Sequence, residues 1–137
     1  MKIDTGIAAV LLLCTSSIAA AQSWNRTGTG IVVHPKHGPE KAVRVEVYGN
    51  GIFRVTSGPT AKLDPGKSLM VTAQPLSRVF EIIEAPGSVM ISTPKASALV
   101  DVASGDVSFR NPSGDVVLAE SGPPAFAAAT AEGEEFL

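Results

Sequence analysis

The chain has 137 residues, room for one domain of ordinary size, and its 13 Gly and 10 Pro argue against long helices and for many turns. Aromatic residues make up only 5%, so a core has to be built from Val, Ile, Leu and Ala. The net charge is −2, with no basic run interleaved with aromatics, and the electrostatic footprint of a nucleic-acid binder is therefore missing.

Met1 to Ala21 reads as a secretory signal peptide. Lys2 gives a weak positive start, Ile7 to Leu13 is the apolar centre, and Ala19-Ala20-Ala21 offers small residues for cleavage between Ala21 and Gln22. The apolar run is too short for a spanning helix, which needs about 20 residues, so no membrane segment remains after cleavage. A lipoprotein would use Cys14, but Leu13 stands where a small residue is wanted. A buried N-terminal helix is the other alternative, although nothing after it has a helical period. Cys14 is the only cysteine and leaves with the leader, so the mature chain has neither a disulfide nor a thiol nucleophile. Lys2 and Asp4 leave together, and the net charge does not change.

Gln22 to Thr29 is a polar lead-in whose Trp24 is expected to pack over an edge of the core rather than stack on a ligand. Asn25-Arg26-Thr27 matches the glycosylation sequon, which has meaning only in a eukaryotic secretory route. Gly30 to His34 is a short strand and Pro35 to Glu40 a loop. In Lys41 to Tyr48, Val43, Val45 and Val47 alternate with Arg44, Glu46 and Tyr48, as a half-buried strand requires. Gly49-Asn50-Gly51 reverses the chain into a second strand that opens with Ile52, Phe53 and Val55. A lone hairpin is marginal in water, so the Val face needs a second layer.

Gly58 to Lys67 is a loop, followed by strands at Leu69–Ala73, Val79–Glu84, Ser88–Thr93, Ala98–Ala103, Val107–Arg110 and Asp115–Glu120, with turn signals between most of them. Phe80 and Ile82, Val89 and Ile91, Val100 and Val102, and Val107 and Phe109 form the expected inward pairs. About nine short strands at this spacing predict an all-β antiparallel sandwich or barrel. Ala125 to Ala131 carries no pattern. The chain then turns apolar and stops at Phe136-Leu137, which we read as the front of a longer protein: leader 1–21, lead-in 22–29, sandwich 30–137, incomplete at its C-terminus.

No motif assembles a reaction centre. Ala61 to Ser68 fits only the loosest phosphate-loop pattern, and Pro65 and Asp64 remove an amide and add repulsion where phosphate would sit. Ser92-Thr93-Pro94-Lys95 has S-x-x-K spacing but no helical turn to bring Lys95 to Ser92. His34 and His37 are the only histidines, too few donors for a metal site. Glu81/Glu84 and Asp101/Asp106 are the carboxylate pairs to weigh. Glu81 and Asp101 fall on polar strand faces, and Asp106 and Asp115 follow glycines in turns, where Asp serves the backbone. Catalytic, cofactor and metal positions are all assigned as none.

Two stretches carry a family resemblance: Lys41–Val47 with Gly51–Thr56, and Ala98–Val102 continuing through Gly105–Phe109 to Gly114–Glu120. They resemble the N-terminal β-sandwich of glycoside hydrolase family 31, especially its bacterial exported α-xylosidases. The resemblance implies a galactose-mutarotase-like fold preceding a catalytic (β/α)₈ barrel, whose two aspartates act by a retaining mechanism. That barrel lies beyond Leu137, so no catalytic or substrate-binding role transfers to a residue here. What the resemblance implies is a module that packs on the barrel of the same longer chain, with oligosaccharide reaching the parent enzyme. A free-standing extracytoplasmic binding or adhesion sandwich is the alternative, weakened by the presence of only one Trp and one Tyr. An independent enzyme such as a sugar epimerase lacks an acid/base pair.

The leader has a direct test. Mass spectrometry of the exported protein should find Gln22, free or cyclised, at the N-terminus; an intact Met1 in that fraction would rule the leader out.

Overall fold

The computed structural model describes residues 23–63, 73–76, 80–126, 129–131 and 134–136. All regular structure among them is β. One antiparallel sheet has the order β1 (Trp24–Arg26), β2 (Gly30–Val33), β3 (Ala42–Gly49), β4 (Ile52–Gly58). The other runs β5 (Glu81–Ala85), β6 (Ser88–Ser92), β7 (Ser97–Asp101), β8 (Val107–Arg110), β9 (Val116–Ala119). A separate hairpin joins β10 (Ala129–Ala131) to β11 (Glu134–Phe136).

The Val43/Val45/Val47 face is the centre of the core. Its three side chains are at most 1% exposed. Register sets Val33 and Ile31 beside them on β2, and Val55 and Phe53 on β4. Val89, Ile91, Ala98, Val100 and Val107 close the core from the five-stranded sheet. Each inward pair read from the alternation is found in or packed against this cluster, including Phe80, Ile82, Val102 and Phe109.

Three contacts align the two sheets. Trp24 on β1 donates from Nε1 to Glu84 on β5 at 2.9 Å. The Arg26 guanidinium lies 5.5 Å from the Phe80 ring centre, just ahead of β5. Phe53 on β4 meets Phe109 on β8 at 5.9 Å between centroids. Thus β1 faces β5 and β4 faces β8, and the five-stranded sheet overhangs by one strand, β9. Val116, Val117 and Leu118 are accordingly 53–64% exposed, and Ile52 on β4 is 61% exposed.

Two glycines are required by geometry. Gly51 takes φ +83° in the two-residue turn Asn50-Gly51, a region that L side chains avoid. Tyr48 is the extra residue of a bulge just before it. At Gly30 a Cβ would fall on the Val45 carbonyl, so β2 can approach β3 only without a side chain there.

Two readings of the chain are corrected. The polar lead-in contains a strand, β1, which pairs with β2 from Trp24↔Val33 to Arg26↔Ile31. Three mixed residues carry no alternation, and it is the exposed edge of β2 that recruits them. The Ala-rich segment expected to lack structure contributes β10, paired with β11 from Ala129↔Phe136 to Ala131↔Glu134. Alanine has a weak strand preference, so only the partner strand reveals it. The expected strand at Leu69–Ala73 lies, up to Thr72, outside the described residues, and so does Val79.

The register predicts an asymmetry between neighbours on β3. Val45→Asp places an unpaired charge in the core and should cost several kcal/mol. Glu46→Lys, on the outer face, should cost about 0.5 kcal/mol or less. Equal urea midpoints for the two variants would show that the faces are misassigned.

Candidate functional site

One end of the sandwich gathers carboxylates around a residue in the Pro35–Glu40 loop. Glu40 is only 3% exposed. The β2–β3 loop that carries it is tied to the β7–β8 turn, where the amides of Lys36 and His37 both donate to the Ala103 carbonyl, at 3.0 and 2.9 Å. Gly105 in that turn has φ +89°, and a side chain there would collide with Pro35, the Glu40 carboxylate and Val43. Burial raises the Glu40 pKa, a hydrogen bond from the Ser57 hydroxyl opposes the rise, and Glu120 and Asp106 reinforce it by repulsion. The arrangement disfavours the ionised form of the carboxyl packed between the loops. No pattern in the sequence marks Glu40, because its burial depends on two loops meeting across the layers.

The other acidic candidates serve turns and edges. Asp101 is exposed, yet Oδ1 accepts from the amides of Ala103 and Ser104 at 2.8 Å each and from the Ser104 hydroxyl at 3.3 Å. The Ser104 amide bond is the main reason its pKa is lowered. The Ser104 hydroxyl also lies 2.8 Å from Asp106 Oδ2. Asp115 and Asn111 exchange bonds across their turn at 2.9 and 3.0 Å. Glu81 is exposed, and Glu84 is the acceptor of Trp24, which packs on the core edge as anticipated. Glu81/Glu84 and Asp101/Asp106 are therefore not drawn into one cleft.

His34 donates from Nδ1 to the Lys41 carbonyl at 3.2 Å, and His37 is exposed. Among the described residues no three His, Cys, Asp or Glu are grouped to hold a metal. Ser92-Thr93-Pro94-Lys95 forms the β6–β7 turn, closed by Thr93 N–H to the Ala96 carbonyl at 2.9 Å, with Lys95 exposed. The phosphate-loop lookalike lies, from Asp64 onward, outside the described residues.

A groove of about 590 Å³ runs over the outer face of β6, β7 and β8. Met90 and Leu99 form its floor, Ser88, Ser92 and Ser97 supply hydroxyls, and Arg110 is its one ionisable side chain. Arg110 Nη1 donates to the Gly114 carbonyl at 3.2 Å, while Nε is shielded from solvent and has no acceptor among the described residues.

Glu40 sets a pH dependence of stability. Its native pKa lies above the ordinary 4.5, so its contribution is fully present below about pH 4.5 and lost as pH rises through the native value. Glu40→Gln should therefore gain stability relative to the unsubstituted chain across that window and hold the gain at pH 8. Thermal denaturation at pH 4 and pH 8 checks this; a gain that is larger at pH 4 would show that the ionised form is the one the fold prefers.

No family model matches the chain. Solved structures do. A GH31 α-xylosidase from Xanthomonas citri is 30% identical over 81% of this chain, with a TM-score of 0.73. A GH31 α-xylosidase from a soil metagenome, solved with xylose, matches 71% of it at a TM-score of 0.57; at 24% identity it speaks for the fold alone. The chain spans only 12% and 14% of the length of those two proteins. The antiparallel sandwich is thus a GH31-related module, similar to a segment of the GH31 α-xylosidases, as the sequence resemblance implied.

Proposed function

We propose that this chain is the non-catalytic N-terminal sandwich of an exported GH31 α-glycosidase, an α-xylosidase in preference to an α-glucosidase, and that it packs on a (β/α)₈ barrel following it in a longer chain. The observation that carries this reading is the match to the Xanthomonas citri α-xylosidase, which covers 81% of this chain but only 12% of that enzyme. A module of that proportion sits beside a much larger remainder.

The surface supports a docking role. Val116, Val117 and Leu118 leave β9, the last strand of the five-stranded sheet, with exposed apolar side chains. An apolar patch of this kind on a small domain marks an interaction surface or an aggregation liability. Residues 1–21 read as a cleavable leader, and that reading supports export to the periplasm or beyond.

The disposition of the carboxylates supports a non-catalytic role. Retaining glycosidases hold two carboxyl groups about 5–5.5 Å apart across a sugar-sized site. Here Asp101, Asp106 and Asp115 are engaged in turns, and Glu40 is packed against Gly105. Residues 22–137 alone should therefore be inert on aryl α-xylosides and α-glucosides, and Leu118→Ser should reduce their self-association. Turnover by the isolated fragment that is abolished by substituting Asp101 or Asp106 would overturn this reading in favour of an enzyme in its own right.

A further inference from the structure

The groove on the outer face of the five-stranded sheet contains a charge that the described protein leaves unanswered. Arg110 is half-buried, and among the described residues its Nε, cut off from solvent, has no acceptor and its one side-chain hydrogen bond runs from Nη1 to a neutral carbonyl. No described carboxylate pairs with it. A partly desolvated guanidinium is costly unless an anion faces it, and its planar fork matches a carboxylate better than it matches any neutral group. Around it, Ser88, Ser92 and Ser97 offer hydroxyls and Met90 and Leu99 an apolar floor. At about 590 Å³ the groove has the size of a small-molecule site.

We infer that this groove binds a hydroxylated carboxylate of sugar-acid size, with the carboxylate on the Arg110 guanidinium, hydroxyls against the serines and a C–H face over Met90 and Leu99. Nη2 has no hydrogen-bond partner among the described residues and is the donor left for the ligand. The site does not rest on the proposed glycosidase role: it lies on the outer face of β6, β7 and β8, with Val116 of β9 as the cross-strand neighbour of Arg110.

The test is an NMR titration of the ¹⁵N-labelled chain with sodium D-glucuronate, using D-glucose, sodium acetate and inorganic phosphate as comparison probes. Glucuronate should shift the Ser92, Leu99 and Arg110 amides in a saturable way, at least ten-fold more tightly than acetate or phosphate, while glucose leaves them in place. Arg110→Gln should weaken glucuronate at least ten-fold. If that variant does not fold, the Arg110 Nε–H resonance of the unsubstituted chain decides, because it should move on glucuronate saturation and stay put with glucose. The proposal fails if glucuronate produces no saturable shift or if glucose binds equally well. It also fails if acetate or phosphate matches glucuronate, which would mark a bare charge site, or if glucuronate binds Arg110→Gln undiminished.

Discussion

The stack of Val43, Val45 and Val47 against Val89, Ile91 and Val100 is the constraint on which the rest of this structure depends. Burial of small branched side chains between two sheets is the main stabilising term in a chain with so few aromatics, at roughly 25 cal/mol per Å² of apolar surface removed from water. It also holds the register. A one-residue slip of β3 would turn Arg44 and Glu46 inward, and Gly30 allows only one close approach of β2, because any side chain there would meet the Val45 carbonyl.

That packing determines where polar groups can go. The loops at one end of the sheets close over the core, and Glu40 is carried inside with them, opposed by Asp106 and Glu120 and supported by Ser57. Asp101 faces the opposite situation. It remains in water, and its carboxylate is stabilised in the ionised form by the amides of the turn it caps. Two acids near the same turns are thus pushed in opposite directions, the first by desolvation and the second by hydrogen bonding. Neither needs a catalytic role to explain its shift.

The mismatch between four strands and five leaves one side of the sandwich unfinished. Strand β9 has a neighbour only on its β8 side among the described residues. Its bulge at Val117 adds local twist, a feature that discourages edge-to-edge pairing. The exposed side chains, rather than the free edge, are therefore the part suited to a covering surface. The relatives are several times longer than this chain, and a larger enzyme has the polypeptide to supply that cover.

Alternation alone was enough to read the inner faces of β3, β6 and β7, because period two leaves no other way to hide Val43/Val45/Val47 or Val89/Ile91. The β3–β4 turn was legible for a similar reason, since Gly51 sits where positive φ is needed. The apolar pattern of Ala98 to Glu120 also carried the family resemblance that the solved structures match. What the sequence could not show were features created by contacts between distant segments. Strand β1 exists because β2 has a free edge, and β10 because β11 lies two residues further on. Glu40 is buried because Gly105, 65 residues later, lets a turn press against it. The groove at Arg110 requires three strands side by side before Ser92, Ser97 and Arg110 become neighbours. Local periodicity encodes which face of a strand is apolar; only the meeting of the sheets decides which polar groups are trapped and which apolar ones are left uncovered.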